Sequence, residues 1–191
     1  GKAMFVFHMM RQWIGDDPFW AALRDVFTQR LHKKTGWIHF MRAFAKHGGL
    51  SRREVQAFHD QWISRPGALK LGLKSPNMLN GSSQWQVKGI LTQEPPFFDA
   101  DILVEVTGTN IKSKKIIPLT GEKARFSMQF KNRPQTLGAD PDFDLFRLLY
   151  PEEIPATVNA LKGSKKVAAI IADDTPANWT DIFKGLLTGL N

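Results

Sequence analysis

The chain has no cysteine and no long apolar run among its 191 residues. The lack of cysteine excludes a disulfide framework, a thiolate metal site and a cysteine nucleophile. It leaves the cellular compartment open, because many exported proteins also have none. A helix that spans a bilayer needs roughly 18 consecutive apolar residues, and no stretch reaches that length. We therefore expect no transmembrane segment in this chain.

Concentrated positive charge is also lacking, although the chain is basic. The formal net charge is +8, but no run of five or more lysines and arginines occurs. A nucleic-acid interface is typically a dense basic patch, so this scattered pattern favours a solvated surface, and we expect no nucleic-acid partner. The tightest basic groups are Lys33-Lys34, Arg52-Arg53, Lys112 with Lys114 and Lys115, and Lys165-Lys166.

The burial pattern changes at Pro66-Gly67. Upstream of this pair the apolar residues recur at helical spacing, whereas from Leu69 onward they recur at every second position. The first segment, residues 3–14, is apolar almost all round, so we expect it to be buried on most faces. Such a segment at a chain end indicates an interior slice of a larger domain.

The predicted helix boundaries follow from capping chemistry. Asp16 is expected to cap a second helix that runs to about Lys34, and Thr35 a third that ends at Gly48-Gly49. Ser51 and Glu54 have the spacing of a capping box at the start of a fourth helix, which continues to Pro66-Gly67. Four helices are thus expected within residues 1–67.

Five short strands are predicted after this point, separated by turn residues, and they favour a small antiparallel β-sandwich. We expect residues 134–161 to form a loop whose aromatic residues pack on the sandwich, with a short helix near 156–161. A strand at 167–172 and a helix at 175–190 complete the prediction. The expected strands are 69–73, 85–91, 102–106, 115–119 and 124–130.

The predicted fold class is therefore α+β, in three parts. A helical subdomain occupies residues 1–67, the β-sandwich 68–134, and a short α/β extension 135–191. One strand and one helix cannot form a sheet alone. The extension is therefore expected either to add to the sandwich or to open a further α/β domain.

The histidines give no metal-binding pattern. His8 and His59 lie on predicted helices among aromatic residues, where a lone histidine is more often hydrogen bonded in a core than a ligand. A zincin would show His-Glu-x-x-His, which places two ligands on one helical face. His32, His39 and His47 could share a face only if one helix ran through Gly36, so we interpret their spacing as coincidence.

Two further motifs resemble ligand sites and fail on spacing. Asp140, Asp142 and Asp144 have the spacing of the first ligands in a calcium-binding loop. However, the glycine of the sharp turn is missing, and Pro151 occupies the position of the bidentate Glu. Turn and capping roles are favoured instead. Residues 163–165 lack the upstream glycine of a phosphate loop and precede a strand. No catalytic residue, metal ligand or binding residue is therefore assigned in this chain.

Ordered motifs in residues 1–67 resemble the back half of the catalytic domain in the membrane alanyl aminopeptidase family of zinc metallopeptidases, the gluzincins. Leu69 departs from the family pattern, in which proline often occupies that position. The matching motifs are Lys2-Ala3, His8-Met9-Met10-Arg11, Ile14-Gly15-Asp16-Asp17-Pro18-Phe19-Trp20, and Phe58-His59-Asp60-Gln61-Trp62-Ile63-Ser64-Arg65-Pro66-Gly67.

This resemblance implies that the chain is a C-terminal piece of a zinc peptidase. The family's zinc motif, its third ligand Glu and its transition-state-stabilising Tyr would lie upstream of Gly1, and the one tyrosine here is Tyr150. The zinc cofactor and the peptide substrate would then belong to the full-length parent, whose remainder is the expected partner. The chain alone would be catalytically incompetent. The alternative is a protein, peptide or glycan binding module of a peptidase-like protein that has lost catalysis.

Overall fold

The structure is a computed structural model that describes residues 1–81, 84–154 and 175–189. It divides into two compact units, Gly1–Leu148 and Leu149–Asn191. In the first unit, helices precede two antiparallel sheets, so the predicted α+β order is confirmed. The helices of this unit are α1 (Lys2–Ile14), α2 (Asp16–Arg30), α3 (Trp37–Gly48) and α4 (Arg52–His59), and a π-helical turn (Asp60–Ser64) follows α4.

Two predicted helix caps are wrong. Asp16 is the first residue of α2 and caps nothing, because both of its carboxylate oxygens accept hydrogen bonds from Arg11, each at 2.7 Å. The cap of α3 is Gly36 rather than Thr35, and the side chain of His39 bonds back to the Gly36 backbone. The capping box of Ser51 and Glu54 at the start of α4 is confirmed.

Helix α1 is buried along one side, so the prediction of burial on most faces is wrong. Val6, Met9 and Met10 are buried, whereas Met4 is 66% exposed and Trp13 is 43% exposed. Helices α2 and α3 and the π-helical turn contact α1. These neighbouring elements therefore cover only part of the apolar surface of α1.

The helices enclose a core of their own, in which aromatic rings predominate. Phe44 is fully buried and stacks on Phe19 with ring centroids 5.5 Å apart. Phe7 makes edge contacts with both rings. Offset and edge-to-face aromatic pairs add to the free energy of burying the rings, so this core fixes how α1, α2 and α3 pack.

A polar cluster joins α2 to α3 at the surface. The Asp25 carboxylate accepts hydrogen bonds from Lys46 Nζ at 2.9 Å and from His47 Nε2 at 3.0 Å. The bonds to Lys46 and then to His47 lower the pKa of Asp25 to about 2. The folded state therefore favours the ionised carboxylate of Asp25.

We expect the Asp25 contacts to make stability depend on acid pH. Because the pKa is lower in the folded than in the unfolded chain, the stabilisation is complete above about pH 4 and is lost as the pH falls toward about 2. Asp25→Asn should flatten that part of the stability profile, measured by urea unfolding over a pH series. Asp17→Asn, an exposed change on the same helix, should leave the profile unchanged. A profile that Asp25→Asn does not alter would contradict the assignment.

Six strands form two three-stranded antiparallel sheets. The first sheet has the order β1-β2-β5 and the second the order β4-β3-β6. Their inward residues share one hydrophobic core, to which α1 and the π-helical turn add Val6, Met9 and Trp62. The strands are β1 (Leu71–Asn80), β2 (Trp85–Gln93), β3 (Ala100–Gly108), β4 (Ile111–Leu119), β5 (Lys123–Phe130) and β6 (Pro134–Ala139).

Strand β6 falls where a loop was predicted, and the correction has a clear cause. Leu137 and Ala139 alternate with exposed or half-buried residues over only six positions, so the period-2 signal is weak. Pairing with β3 supplies the missing stabilisation, with Val106 opposite Leu137 and Val104 opposite Ala139. Strand β1 is longer than predicted and carries an irregularity between Lys74 and Asn77, where Ser75 has a positive φ of 49°.

In the second unit the structure describes a 3₁₀ turn at Pro151–Glu153 and a helix, α5 (Ala177–Gly189). The predicted helix at 175–190 is confirmed in this form. The short helix expected near 156–161 and the strand expected at 167–172 lie outside the described residues. Among the helices that are described, none has the length and apolar character needed to cross a membrane.

Candidate functional site

A cleft of about 750 Å³ lies between the helices and the outer surface of the second sheet, within the first unit. We refer to it as the helix–sheet cleft. Helices α1 and α4, the π-helical turn, strand β3 and the segment at 140–145 contribute its walls. Its most distinctive lining residues are Trp13, Phe58, Gln61, Asp99, Asp101 and Asp144.

The π-helical turn shapes one wall of the cleft. Sequence spacing predicted that α4 would continue to Pro66, but the helix widens at Asp60–Ser64. Gln61 then reaches the strand-linking loop, where its side chain donates to the Asp99 carbonyl at 2.7 Å and accepts from the Asp99 amide at 2.8 Å. This paired bond fixes the helix against the loop. Wide turns of this kind occur frequently at functional sites.

Aromatic rings form the apolar part of the cleft. Trp13 stacks on Phe58 with centroids 5.7 Å apart, and the Trp13 side chain is 43% exposed. Behind them Trp62 is buried and stacks on Phe98 at 5.0 Å. An exposed indole ring held by a neighbouring ring offers a face to which a cationic group can bind.

Carboxylates make the cleft negative in a chain that is positive overall. Glu54, Asp99 and Asp101 are exposed at its edge, whereas Asp140 and Asp144 line its interior side and contact Arg147 and His8 respectively. The cleft thus combines an aromatic surface with acidic groups. Chemically it suits a basic side chain or an amine better than an anion.

The three aspartates of the rejected calcium motif take separate roles. Asp142 pairs with Lys114 at 2.8 Å on the surface. The backbone amide of Asp144 donates to the Asp140 carboxylate at 2.9 Å. This contact is a turn-stabilising bond of the kind predicted from sequence.

Asp140 is the buried member of that turn. Its carboxylate lies 2.6 Å from Nε of Arg147, and both side chains are almost inaccessible to water. Burial raises the pKa of Asp140, and the bond to Arg147 acts in the opposite direction. A salt bridge in an apolar interior is retained only with good geometry, so this pair fixes the conformation of the 140–147 segment.

His8 contacts the same segment from α1. Its Nε2 lies 2.6 Å from the Asp144 carboxylate, to which Gln12 also donates at 3.1 Å. The two residues are 136 positions apart, so no local motif predicted the contact. His8 is therefore hydrogen bonded, as expected, but its side chain is 38% exposed and does not lie in a core.

The remaining histidines are dispersed. His59 bonds to Ser64 within the π-helical turn, and His47 bonds to Asp25. Across the described residues, no three His, Asp or Glu side chains approach closely enough to hold a metal ion. The described residues therefore do not fit a zinc site.

Comparison with known proteins finds a likeness to solved structures. No protein-family model and no curated protein sequence matches the chain. Among solved structures, the chain is similar to the crystal structure of Legionella pneumophila aminopeptidase A in complex with aspartic acid, with a TM-score of 0.55 at 19% sequence identity. The match covers 84% of this chain and 18% of that chain. At this level of identity the likeness shows an aminopeptidase-like fold.

Proposed function

We propose that this chain is a non-catalytic part of a zinc aminopeptidase-like metallopeptidase of the gluzincin type. Its helices would support an active site whose zinc ligands lie elsewhere in a longer polypeptide. The observation that carries the proposal is the fold likeness to an aminopeptidase over 84% of the chain. The ordered motifs from Ile14 to Trp20 and from Phe58 to Gly67 also support it.

The positions of the motif residues are consistent with a supporting role. Phe19 and Trp62 are buried in the two cores, and Phe58 is half buried against Trp13. None of these side chains can ligate a metal or transfer a proton. In this proposal they hold the helical wall in shape, and peptide-bond hydrolysis depends on groups outside the chain.

An assay of the purified chain with added zinc tests the proposal. We expect no hydrolysis of an aminoacyl-coumarin substrate and no stoichiometric zinc binding in equilibrium dialysis, because the described residues offer no ligand group. Turnover should appear when the chain is part of a polypeptide that also carries His-Glu-x-x-His with its downstream Glu and Tyr. Zinc-dependent, chelator-sensitive turnover by the chain alone would overturn the assignment.

A second candidate function is the binding of a basic peptide segment, and the helix–sheet cleft favours it. The exposed face of Trp13 and the carboxylates of Asp99 and Asp101 are complementary to a lysine or arginine side chain. This function would agree with a peptidase-like protein that acts as a binding module.

A peptide titration tests the second candidate. A short arginine-rich peptide should change the tryptophan fluorescence, whereas a glutamate-rich peptide of equal length should not. Trp13→Ala should weaken binding by between about two- and thirty-fold, the range expected for loss of a cation–π contact. Trp20→Ala is the matched control, because Trp20 is 46% exposed and lies outside the cleft. Equal effects of the two changes would exclude the cleft as the binding site.

A further inference from the structure

The outer face of the first sheet gathers cations that are far apart in sequence. Lys74 and Arg125 both pair with Ile90, one from each neighbouring strand. Lys88 lies opposite Ser127, two residues along β2, and Lys123 lies opposite Thr92. Directly paired residues of antiparallel strands point to the same side, so the four cations share one face. We call this group the basic face.

The basic face carries no compensating charge. Its four cationic side chains are exposed, and within the described residues none of them forms an ion pair. No Asp or Glu occupies an outward position in the paired register of β1, β2 and β5. A fifth cation, Lys115, reaches the edge of the face and contacts the Ser127 carbonyl at 3.4 Å.

The second sheet differs in that carboxylates lie beside one of its outward cations. Its outward Lys114 lies 2.8 Å from Asp142 and 3.8 Å from Glu105. Carboxylates also line the helix–sheet cleft on that side. The outward positions of the first sheet thus carry cations without carboxylates, whereas both charges occur on the second sheet.

We propose that the basic face binds an acidic polysaccharide, because four unpaired cations are interleaved there with hydrogen-bonding side chains on a flat sheet. Neighbouring strands lie about 4.8 Å apart, so Lys74 and Arg125 are about 10 Å apart across the sheet. Between and beside the cations lie Gln86, Ser127 and Gln129. Cations would bind sulfate or carboxylate groups, and the amide and hydroxyl groups would bind sugar hydroxyls.

The chemistry of the face favours a polysaccharide over other polyanions. Proteins that bind single-stranded nucleic acid stack the bases on aromatic rings, and the paired outward positions of the three strands carry no aromatic residue. Duplex DNA accepts a helix or a two-stranded ribbon in its major groove, and a three-stranded face is wider. The inference is independent of the proposed peptidase relationship, since it uses other residues.

Binding to heparin, a sulfated polysaccharide, tests the proposal with the full chain. We expect binding that weakens steeply with salt, and no binding to neutral dextran. Lys88→Glu with Arg125→Glu should lower the affinity by at least about tenfold and reduce the slope of log affinity against log salt by about 2. Lys88→Gln with Arg125→Gln should give a smaller loss of affinity. This neutral variant tests the proposal if the charge-reversed protein does not fold.

The matched control reverses two arginines elsewhere. Arg52→Glu with Arg53→Glu makes the same change in net charge on the exposed first turn of α4, where acidic residues are favourable. This variant should retain most of the heparin affinity. Equal losses in the two reversed variants would mean that net charge alone drives binding, and would overturn the proposal. Tighter binding to a short DNA duplex, or to phosphatidylserine vesicles, would also overturn it in favour of those partners.

Discussion

Replacing Phe98 by alanine is expected to lower the free energy of unfolding by about 3 to 5 kcal/mol, the usual range for a fully buried phenylalanine. The side chain has no exposed surface, and it stacks on Trp62 at 5.0 Å. The buried Gln93 forms two hydrogen bonds with the Phe98 backbone. Its side chain accepts a bond from the Phe98 amide and donates one to the Phe98 carbonyl, both at 2.8 Å. The substitution would remove the ring contact between the π-helical turn and the loop that follows β2.

The neighbouring residue supplies the control for this prediction. Phe97 is 39% exposed, so Phe97→Ala should change the free energy of unfolding by no more than about 1 kcal/mol. Both variants can be compared with the wild type by urea unfolding, followed by tryptophan fluorescence. Losses of similar size at the two positions would contradict the assignment of Phe98 to the shared core.

Replacing Arg147 by methionine is expected to cost about 3 to 5 kcal/mol, because it leaves the Asp140 carboxylate buried without its cationic partner. The loss should depend on pH. Since burial already raises the pKa of Asp140, removing Arg147 should raise this pKa further. The penalty should therefore be small below about pH 4, where the carboxyl is protonated in both states, and grow as the pH rises through the folded-state pKa.

A double variant separates the lone charge from the lost packing. Asp140→Asn combined with Arg147→Met should be less destabilised at neutral pH than Arg147→Met alone, because no buried ion remains. Lys114→Met, which breaks an exposed pair with Asp142, should leave stability nearly unchanged. If the double variant is as unstable as the single one at neutral pH, the pair contributes through packing rather than through charge compensation.

Local chemistry predicted the parts of the fold that depend on neighbours in sequence. The capping box at Ser51 and Glu54 was correct because both partners lie within one helical turn. The alternation at 124–130 identified β5, with Phe126 and Met128 pointing inward. The cap at Asp16 failed because Arg11, on the preceding helix, competes for its carboxylate.

The sites depend on contacts that sequence spacing does not reveal. Gln61 meets Asp99 after 38 residues, and His8 meets Asp144 after 136. The basic face is a similar case: the cations appear scattered along the chain, and only the strand register brings Lys74, Lys88 and Arg125 together. The alternation in the sequence identified the outward positions of β5. Only the observed strand pairing identifies the residues of β1 and β2 that lie beside them.

The irregularity in β1 also affects how molecules of this protein meet one another. β1 lies at an edge of its sheet, and an uninterrupted edge strand invites pairing with the same strand of another copy. The left-handed Ser75, the missing amide hydrogen of Pro76 and the charge of Lys74 interrupt that edge over consecutive residues. The bulged segment therefore protects the longest hairpin of the fold against intermolecular strand addition and aggregation.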